Sequence, residues 1–274
     1  MSHPDQDLRI SLVQGDTLWH DPAGNRAHYA ALIAPLAGQT DLVILPETFT
    51  SGFSNDAGEQ AEGMDGPSLA WMREQAAALE AVVTGSLQLR VDGQVYNRLL
   101  WVYPDGRIAH YDKRHLFRYG GEHQRYAAGS HRLSVEWKGW RINPQVCYDL
   151  RFPVFCRNRY NVERADALDF DLQIFVANWP QQRAHAWNTL ARARAIENLC
   201  YVAVVNRVGT DGNRLSYAGD SAVIDFLGQA QLALHGSEQV ATTTISAAAL
   251  AAHRQRFPAM LDADAFELPG MDRP

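Results

Sequence analysis

Short apolar runs, broken by Gly, Pro, Asn and Asp, recur along this chain, and their spacing alternates between a strand-like and a helix-like period. Leu8 to Val13 alternates apolar and polar and predicts a strand ending at Gly15-Asp16. Asn25 to Leu36 carries apolar residues at helical spacing and stops before Gly38. Leu42 to Leu45 is continuously apolar, the pattern of a strand buried on both faces. It delivers Pro46-Glu47-Thr48-Phe49 into a Ser/Gly/Asn-rich loop reaching Gly66. Gly66-Pro67-Ser68 opens a helix to Leu79, with Ser68 as candidate N-cap. Val82 to Leu89 and Tyr96 to Tyr103 pair across Asp92-Gly93. After a turn at Pro104-Asp105-Gly106, a strand from Ile108 to Tyr111 runs into Asp112-Lys113-Arg114-His115-Leu116-Phe117. A loop from Gly120 to Ser130 follows.

The second half repeats this style. Leu133 to Trp137 and Trp140 to Val146 form a hairpin around Lys138-Gly139, and its second strand ends at Cys147. A short helix is expected after Pro153, then an irregular polar patch from Asn158 to Asp169. Leu172 to Ala177 reads as a strand with Asn178-Trp179-Pro180 at its end, Ala184 to Asn198 as a helix of good propensity, and Tyr201 to Asn206 as a strand. Gly209-Thr210-Asp211-Gly212 reads as a turn, Ser221 to Phe226 and Gln229 to Leu234 as a hairpin, and Val240 to Ile245 as a strand. Ser246 caps a last helix, Ala247 to Arg254. Strands alternate with helices but are mixed with hairpins. That predicts two sheets packed together with helices outside, an α/β fold in four layers. With no repeat, low-complexity block or linker, residues 1–274 are expected to form one domain, Met1 to Asp7 being a loose tail.

Composition narrows the function classes. A chain of 274 residues, 46% hydrophobic, can bury a sizeable core, and its net charge of −6 argues against a nucleic-acid footprint or a basic membrane-binding surface. No apolar run reaches the length of a spanning helix, and Met1 to Asp7 lacks the order of a signal peptide. The three cysteines, Cys147, Cys156 and Cys200, have no disulfide-framework spacing, so a reduced, cytoplasmic setting is expected. His110, His115, His123 and His131 lack metal-ligand spacing, and no metal site is expected.

Three predicted strands end on residues that together make chemical sense: Glu47, Lys113 and Cys147. Ligands gather at strand ends in layered α/β folds. A carboxylate there takes a thiol proton, while an ammonium stabilises both a thiolate and a later oxyanion. Taken singly, Glu47 and Lys113 read equally as solvated charges and Cys147 as a buried thiol. A Cys147–His115 dyad is a rival, but it leaves Glu47 and Lys113 without a role. Cys156 and Cys200 read as buried thiols, and Arg192 and Arg194 as ion-pair partners near Glu197.

Leu45-Pro46-Glu47, Tyr111-Asp112-Lys113-Arg114-His115-Leu116-Phe117 and Cys147-Tyr148-Asp149-Leu150-Arg151-Phe152-Pro153 resemble, in order, the three catalytic signatures of the nitrilase (carbon–nitrogen hydrolase) superfamily. The latter two resemble its bacterial omega-amidase branch. The resemblance implies an αββα sandwich, a homodimer and a covalent mechanism without cofactor. In it, Cys147 is the nucleophile, Glu47 the acid/base, and Lys113 with the Tyr148 backbone N–H the oxyanion hole. Glu122 matches the family's second glutamate, on a loop shorter than in eukaryotic relatives. The branch acts on the terminal amide of short dicarboxylic acid monoamides, such as 2-oxoglutaramate and succinamate. Arg151 matches the position proposed to bind the far carboxylate, although a structural ion pair is its plain alternative. Trp179 matches an aromatic over the substrate, and Arg183 is a further clamp candidate. Another linear amide, a carbamoyl compound or a nitrile is the alternative substrate class, and a non-catalytic scaffold the alternative outside enzymes.

Overall fold

The computed structural model of the protein describes residues 4–160 and 168–268. Its first half contains β1 (Leu8–Gln14), α1 (Pro22–Ile33), β2 (Leu42–Ile44), α2 (Ala57–Gln60), α3 (Pro67–Leu79), β3 (Val82–Val91), β4 (Gln94–Val102) and β5 (Ile108–Asp112). Its second half contains β6 (Val135–Trp137), β7 (Trp140–Val146), β8 (Leu172–Ala177), α4 (Ala184–Asn198), β9 (Tyr201–Asn206), β10 (Val208–Thr210), β11 (Ser216–Ala218), β12 (Ala222–Ile224), β13 (Ala230–Ala233), β14 (Gln239–Ile245) and α5 (Ala247–Arg256).

Among the described residues these strands build two six-stranded sheets, ordered β14-β1-β2-β3-β4-β5 and β13-β12-β9-β8-β7-β6. Each has three parallel strands at its centre, β1-β2-β3 in one and β7-β8-β9 in the other, flanked by antiparallel strands. A parallel centre must be covered on both faces, which is why β2 and most of β9 read as continuous apolar runs, while β1 and β7 interleave buried polar residues such as Ser11, Asn143 and Gln145.

Alternation along the strands sorts the core into layers. Leu8, Ile10 and Leu12 of β1, Leu42 and Ile44 of β2, Ile142 and Val146 of β7, Leu172, Ile174 and Val176 of β8, and Tyr201, Ala203 and Val205 of β9 pack together between the sheets. The opposite face of the first sheet, with Val13, Val43 and Val83, packs on Tyr29 and Ile33 of α1 and on Leu69, Met72, Ala76 and Leu79 of α3. Phe175, Val202 and Val204 of the second sheet pack on Trp187, Ala191 and Ala195 of α4. The result is helix, sheet, sheet, helix: the expected four layers.

Several local expectations change. Gly66 rather than Ser68 is the N-cap of α3. The Glu62 carboxylate does the capping instead, accepting from the Ser68 N–H at 2.8 Å and the Ser68 hydroxyl at 2.6 Å. Among the described residues no helix begins directly after Pro153, where residues 153–156 form a turn; the helical turn precedes it, as a 3-10 helix over Cys147–Arg151. The segment read as a turn at Gly209 is the β10–β11 hairpin. Pro4 to Asp7, expected as a tail, is tied down: Pro4 is buried, the Gln6 carbonyl accepts from Trp140 Nε1 at 2.8 Å, and Asp7 accepts from the Ala247 N–H at 3.0 Å. Residues 1–3 and, within the expected polar patch, residues 161–167 lie outside the described residues.

The C-terminal helix is fastened through buried charge. Asp171, at the foot of β8, accepts from Arg141 Nε and Nη2, each at 2.9 Å, and also pairs with Arg254 of α5. Burial opposes ionisation of Asp171, but the hydrogen bonds from Arg141 and the charge of Arg254 overcome it and hold the carboxyl below its ordinary range. A depressed folded-state pKa contributes stability above the unfolded value, lost as pH falls through the folded one. Asp171→Asn is therefore expected to cost about 3 kcal/mol at neutral pH. The gap from wild type should close below about pH 4, in urea melts followed by circular dichroism. A gap that does not narrow with acid would contradict the assignment.

Candidate active site

The site lies where the C-terminal ends of the central strands meet. β2 runs out through Leu45 and Pro46 to Glu47, and β7 runs out to Cys147. Both chains then turn sharply through left-handed backbone, at Thr48 (φ 41°) and at Cys147 itself (φ 48°). Non-glycine residues in this region carry strain, which surrounding structure must over-determine. At Cys147 the restraints are visible. The fully buried Asp149 accepts from the Val146 N–H at 3.1 Å, the Tyr111 hydroxyl at 2.8 Å, the His115 N–H at 3.0 Å and His115 Nδ1 at 2.7 Å. From the other side Arg194 of α4 donates to the Leu150 carbonyl at 2.7 Å. The strand-to-helix turn is thus sewn to β5 and to α4, and the Cys147 thiol is left half-buried at its tip.

Behind the thiol lies a buried charge cluster. Glu47 and Glu122 are 0% exposed and Lys113 is 1% exposed. Lys113 Nζ donates to Glu47 Oε1 at 2.9 Å and to both oxygens of Glu122 at 3.0 Å. Buried charge survives only when paired and hydrogen-bonded, and each carboxylate here has further donors. Asn97 Nδ2 reaches Glu47 Oε1 at 2.8 Å, the Asn178 N–H reaches Glu47 Oε2 at 2.7 Å, and the Phe117 N–H reaches Glu122 Oε2. Burial opposes the Lys113 charge, yet Glu122 and then Glu47 more than offset it, so the amine is held protonated well above its ordinary range. Burial pushes the Glu122 carboxyl upward; Lys113 opposes that and the Glu47 charge adds to it.

At Cys147 the balance differs from the expectation that Lys113 would stabilise a thiolate. Burial and the adjacent Glu47 charge push the thiol well above its ordinary range, and Lys113 only partly opposes them. The sulfur rests protonated beside a carboxylate. Its Sγ lies 4.0 Å from the Asn178 carbonyl oxygen.

The cleft above the sulfur is lined by Glu47, Phe53, Phe117, Cys147, Tyr148, Arg151, Asn178, Trp179, Pro180 and Arg183, with an empty volume of about 320 Å³. The Arg151 guanidinium lies over the Trp179 ring at 4.8 Å, and that of Arg183 over the Phe117 ring at 5.3 Å. Trp179 links the two, donating from Nε1 to the Arg183 carbonyl at 2.9 Å. Among the described residues neither guanidinium pairs with a carboxylate. Asn206, at the end of β9, clamps the Trp179 backbone from both sides, accepting from its N–H at 2.8 Å and donating to its carbonyl at 3.0 Å.

His115 does not act as a partner for Cys147: its Nδ1 is engaged by Asp149 and its ring stacks on Phe152 at 3.8 Å. Cys156 and Cys200 are buried, and burial pushes the Cys156 thiol up to about 12. Arg194 pairs with Glu197 at 2.7 Å, whereas Arg192 donates to the Gly228 carbonyl. Among the described residues no group of three or more His, Cys, Asp or Glu is gathered for a metal, and no helix is long and apolar enough to cross a membrane. Asn97, Asp149, Asn178 and Asn206 shape the site and were not singled out from the sequence. Their signal was polarity inside or directly after an apolar strand.

Comparison with known proteins agrees with this geometry. The carbon–nitrogen hydrolase family matches residues 9–255. The chain is 45% identical over 266 residues to the omega-amidase YafV of Yersinia enterocolitica, covering 95% of this chain and 98% of that protein. It is 32% identical to the 2-oxoglutaramate amidase of Bacillus subtilis, covering 84% and 87% of the two chains. A crystal structure of XC1258 from Xanthomonas campestris, a CN-hydrolase superfamily protein with an arsenic adduct in its active site, superimposes with a TM-score of 0.95 at 74% identity, covering 96% of this chain and 99% of that one. An acid, an amine and a thiol at the strand ends of an αββα sandwich thus have their explanation: the chain belongs to the carbon–nitrogen hydrolase family, in its omega-amidase branch, and is a hydrolase acting on amides.

Proposed function

We propose that the enzyme releases ammonia from the terminal amide of short dicarboxylic acid monoamides, of the 2-oxoglutaramate and succinamate type, through a thioester on Cys147. The observation that carries this reading is one cleft lined at once by Glu47 and Cys147 and by two guanidiniums, Arg151 and Arg183, without carboxylate partners among the described residues. A planar guanidinium held over an aromatic face suits bidentate capture of a carboxylate. The names of two relatives, an omega-amidase and a 2-oxoglutaramate amidase, support the same substrate class.

The chemistry follows from the resting protonation state. Cys147 Sγ attacks the amide carbon while its proton passes to Glu47, so a free thiolate need not accumulate. Lys113 carries three N–H donors; one is spent on Glu47 and one is shared by the two oxygens of Glu122, leaving one for the substrate oxygen. The Tyr148 N–H, in the first turn of the 3-10 helix, has no intrahelical acceptor and supplies the second donor for the oxyanion. Glu47 returns the proton to the departing nitrogen as ammonia leaves, and the thioester forms. Water then attacks the thioester with its proton going to Glu47, the acid is released and the proton returns to sulfur. Glu122 fixes Lys113 throughout.

The test is ammonia release across ω-monoamides, neutral amides, carbamoyl compounds and nitriles, for wild type and Arg151→Lys. Carboxylate-bearing substrates should be preferred, and the variant should lose about 10-fold or more in kcat/KM on them alone, because a point charge replaces a fork. A preference for neutral substrates, or an equal loss on both kinds, sinks the carboxylate clamp.

A further inference from the structure

We propose that Asn97 is a positioning residue of the reaction, the neutral group that lets one ammonium hold two carboxylates ready beside Cys147. The inference rests on the reading of Glu47 as proton acceptor. Asn97 sits fully buried in β4, between apolar neighbours Val95 and Leu99, where a polar side chain is costly unless bonded. It touches each of the three charged residues. Its Nδ2 donates to Glu47 Oε1 at 2.8 Å and to Glu122 Oε1 at 3.3 Å, and its backbone carbonyl accepts from the Lys113 N–H at 3.0 Å.

The rest of the side chain shows which requirement prevails. Asn97 Oδ1 has no hydrogen-bond partner among the described residues. Leaving a buried acceptor unsatisfied is unfavourable. Turning the amide over would be worse, since it would aim Oδ1 at two carboxylates that can only accept. The amide is therefore oriented by Glu47 and Glu122.

Charge accounting explains why an amide suits the position. Glu47 and Glu122 against Lys113 leave one negative charge in excess among three side chains that are at most 1% exposed. The two amide hydrogens of Asn97 offset it without adding a group that titrates. The titratable groups facing this cluster include Lys113, Glu47, Glu122, Cys147, the Tyr126 phenol, whose hydroxyl is bonded to the Ser54 carbonyl, and the Tyr217 phenol, whose hydroxyl donates to Asp211 at 2.8 Å. Across on β3 the neighbour is the neutral Gln88, and the adjacent Arg98 is committed to Asp112 at 2.7 Å. Losing the amide donors makes both carboxyls easier to protonate, so a larger share of the enzyme has no base for the thiol at mildly acidic pH.

The test compares wild type, Asn97→Ala and Asn97→Ser in two assays. The first is ammonia release from succinamate against pH. The second is alkylation of Cys147 by iodoacetamide against pH, read by intact mass, which needs no turnover. In Asn97→Ala, kcat should fall about 10-fold with KM nearly unchanged, and the acidic limb of both profiles should move up by about one pH unit. Asn97→Ser keeps one donor and should shift both limbs less. Unmoved acidic limbs, or failure of both variants to fold, overturn the inference and make Asn97 a fold residue. Wild type that alkylates with an Asn97-dependent limb yet hydrolyses no monoamide leaves the inference standing and removes the substrate proposal instead.

Discussion

Cys147→Ala should lose ammonia release by more than about 10³-fold in kcat/KM while keeping its fold. No other thiol is placed to substitute: Cys156 and Cys200 are fully buried, and Cys156 is bonded to Gln145 and to the Asp149 carbonyl. Cys147→Ser should be nearly as impaired. Burial and Glu47 already hold the thiol well above its ordinary range. A hydroxyl is a far weaker acid still, and the same carboxylate must deprotonate it. Stability should change by less than about 1 kcal/mol in either variant, because alanine and serine meet the same φ of 48° with a side chain of similar or smaller size. Thermal unfolding followed by circular dichroism checks the fold, and intact mass after mixing with substrate checks for the acyl adduct. Turnover or an adduct in Cys147→Ala would falsify the assignment of the nucleophile.

Lys113→Met should be both inactive and unstable. The residue is 1% exposed and is the ammonium shared by Glu47 and Glu122. Removing it leaves two carboxyl groups buried together without a cation, and breaking such a pair costs about 3–5 kcal/mol. The sign of its pH dependence follows. Without the cation both carboxyls take up protons more readily in the folded than in the unfolded chain, so the variant should lose stability as pH rises and regain it toward acid. Adding Glu122→Gln removes one of the two stranded charges. The double variant should recover part of the stability at neutral pH and none of the activity. Urea melts at neutral and mildly acidic pH measure this directly. A single variant as stable as wild type at neutral pH would show that the cluster is wetter than its geometry implies.

Much of this architecture was legible before any coordinates. β8, α4 and β9 fall where periodicity and composition put them, because strands covered on both faces are mostly apolar and the helix connecting these two is Ala-rich. The hairpin over Asp92-Gly93 was readable from turn chemistry, with both residues at positive φ. Ser68 misled, since the group that caps α3 is Glu62, supplied from outside the helix by a loop. The 3-10 turn at Cys147–Arg151 was missed for a related reason: Asp149, His115, Tyr111 and Arg194 hold it, and three of these are distant in the chain.

What the sequence determined by itself was the fold class, the order of most of the longer strands and helices, and the presence of Glu47, Lys113 and Cys147 at strand ends with signatures of a carbon–nitrogen hydrolase. Those properties are local, written in periodicity and in short runs of residues. The tertiary structure alone decided that burial and Glu47 push the thiol above its ordinary range, that Asn97 and Asn178 donate to Glu47 alongside Lys113, and that Arg151 and Arg183 lie over Trp179 and Phe117 without carboxylate partners among the described residues. Protonation state and hydrogen-bond partnership depend on burial and on distances between groups far apart in the chain, as between Glu47 and Asn178. No stretch of sequence carries those quantities until the two sheets have closed on each other.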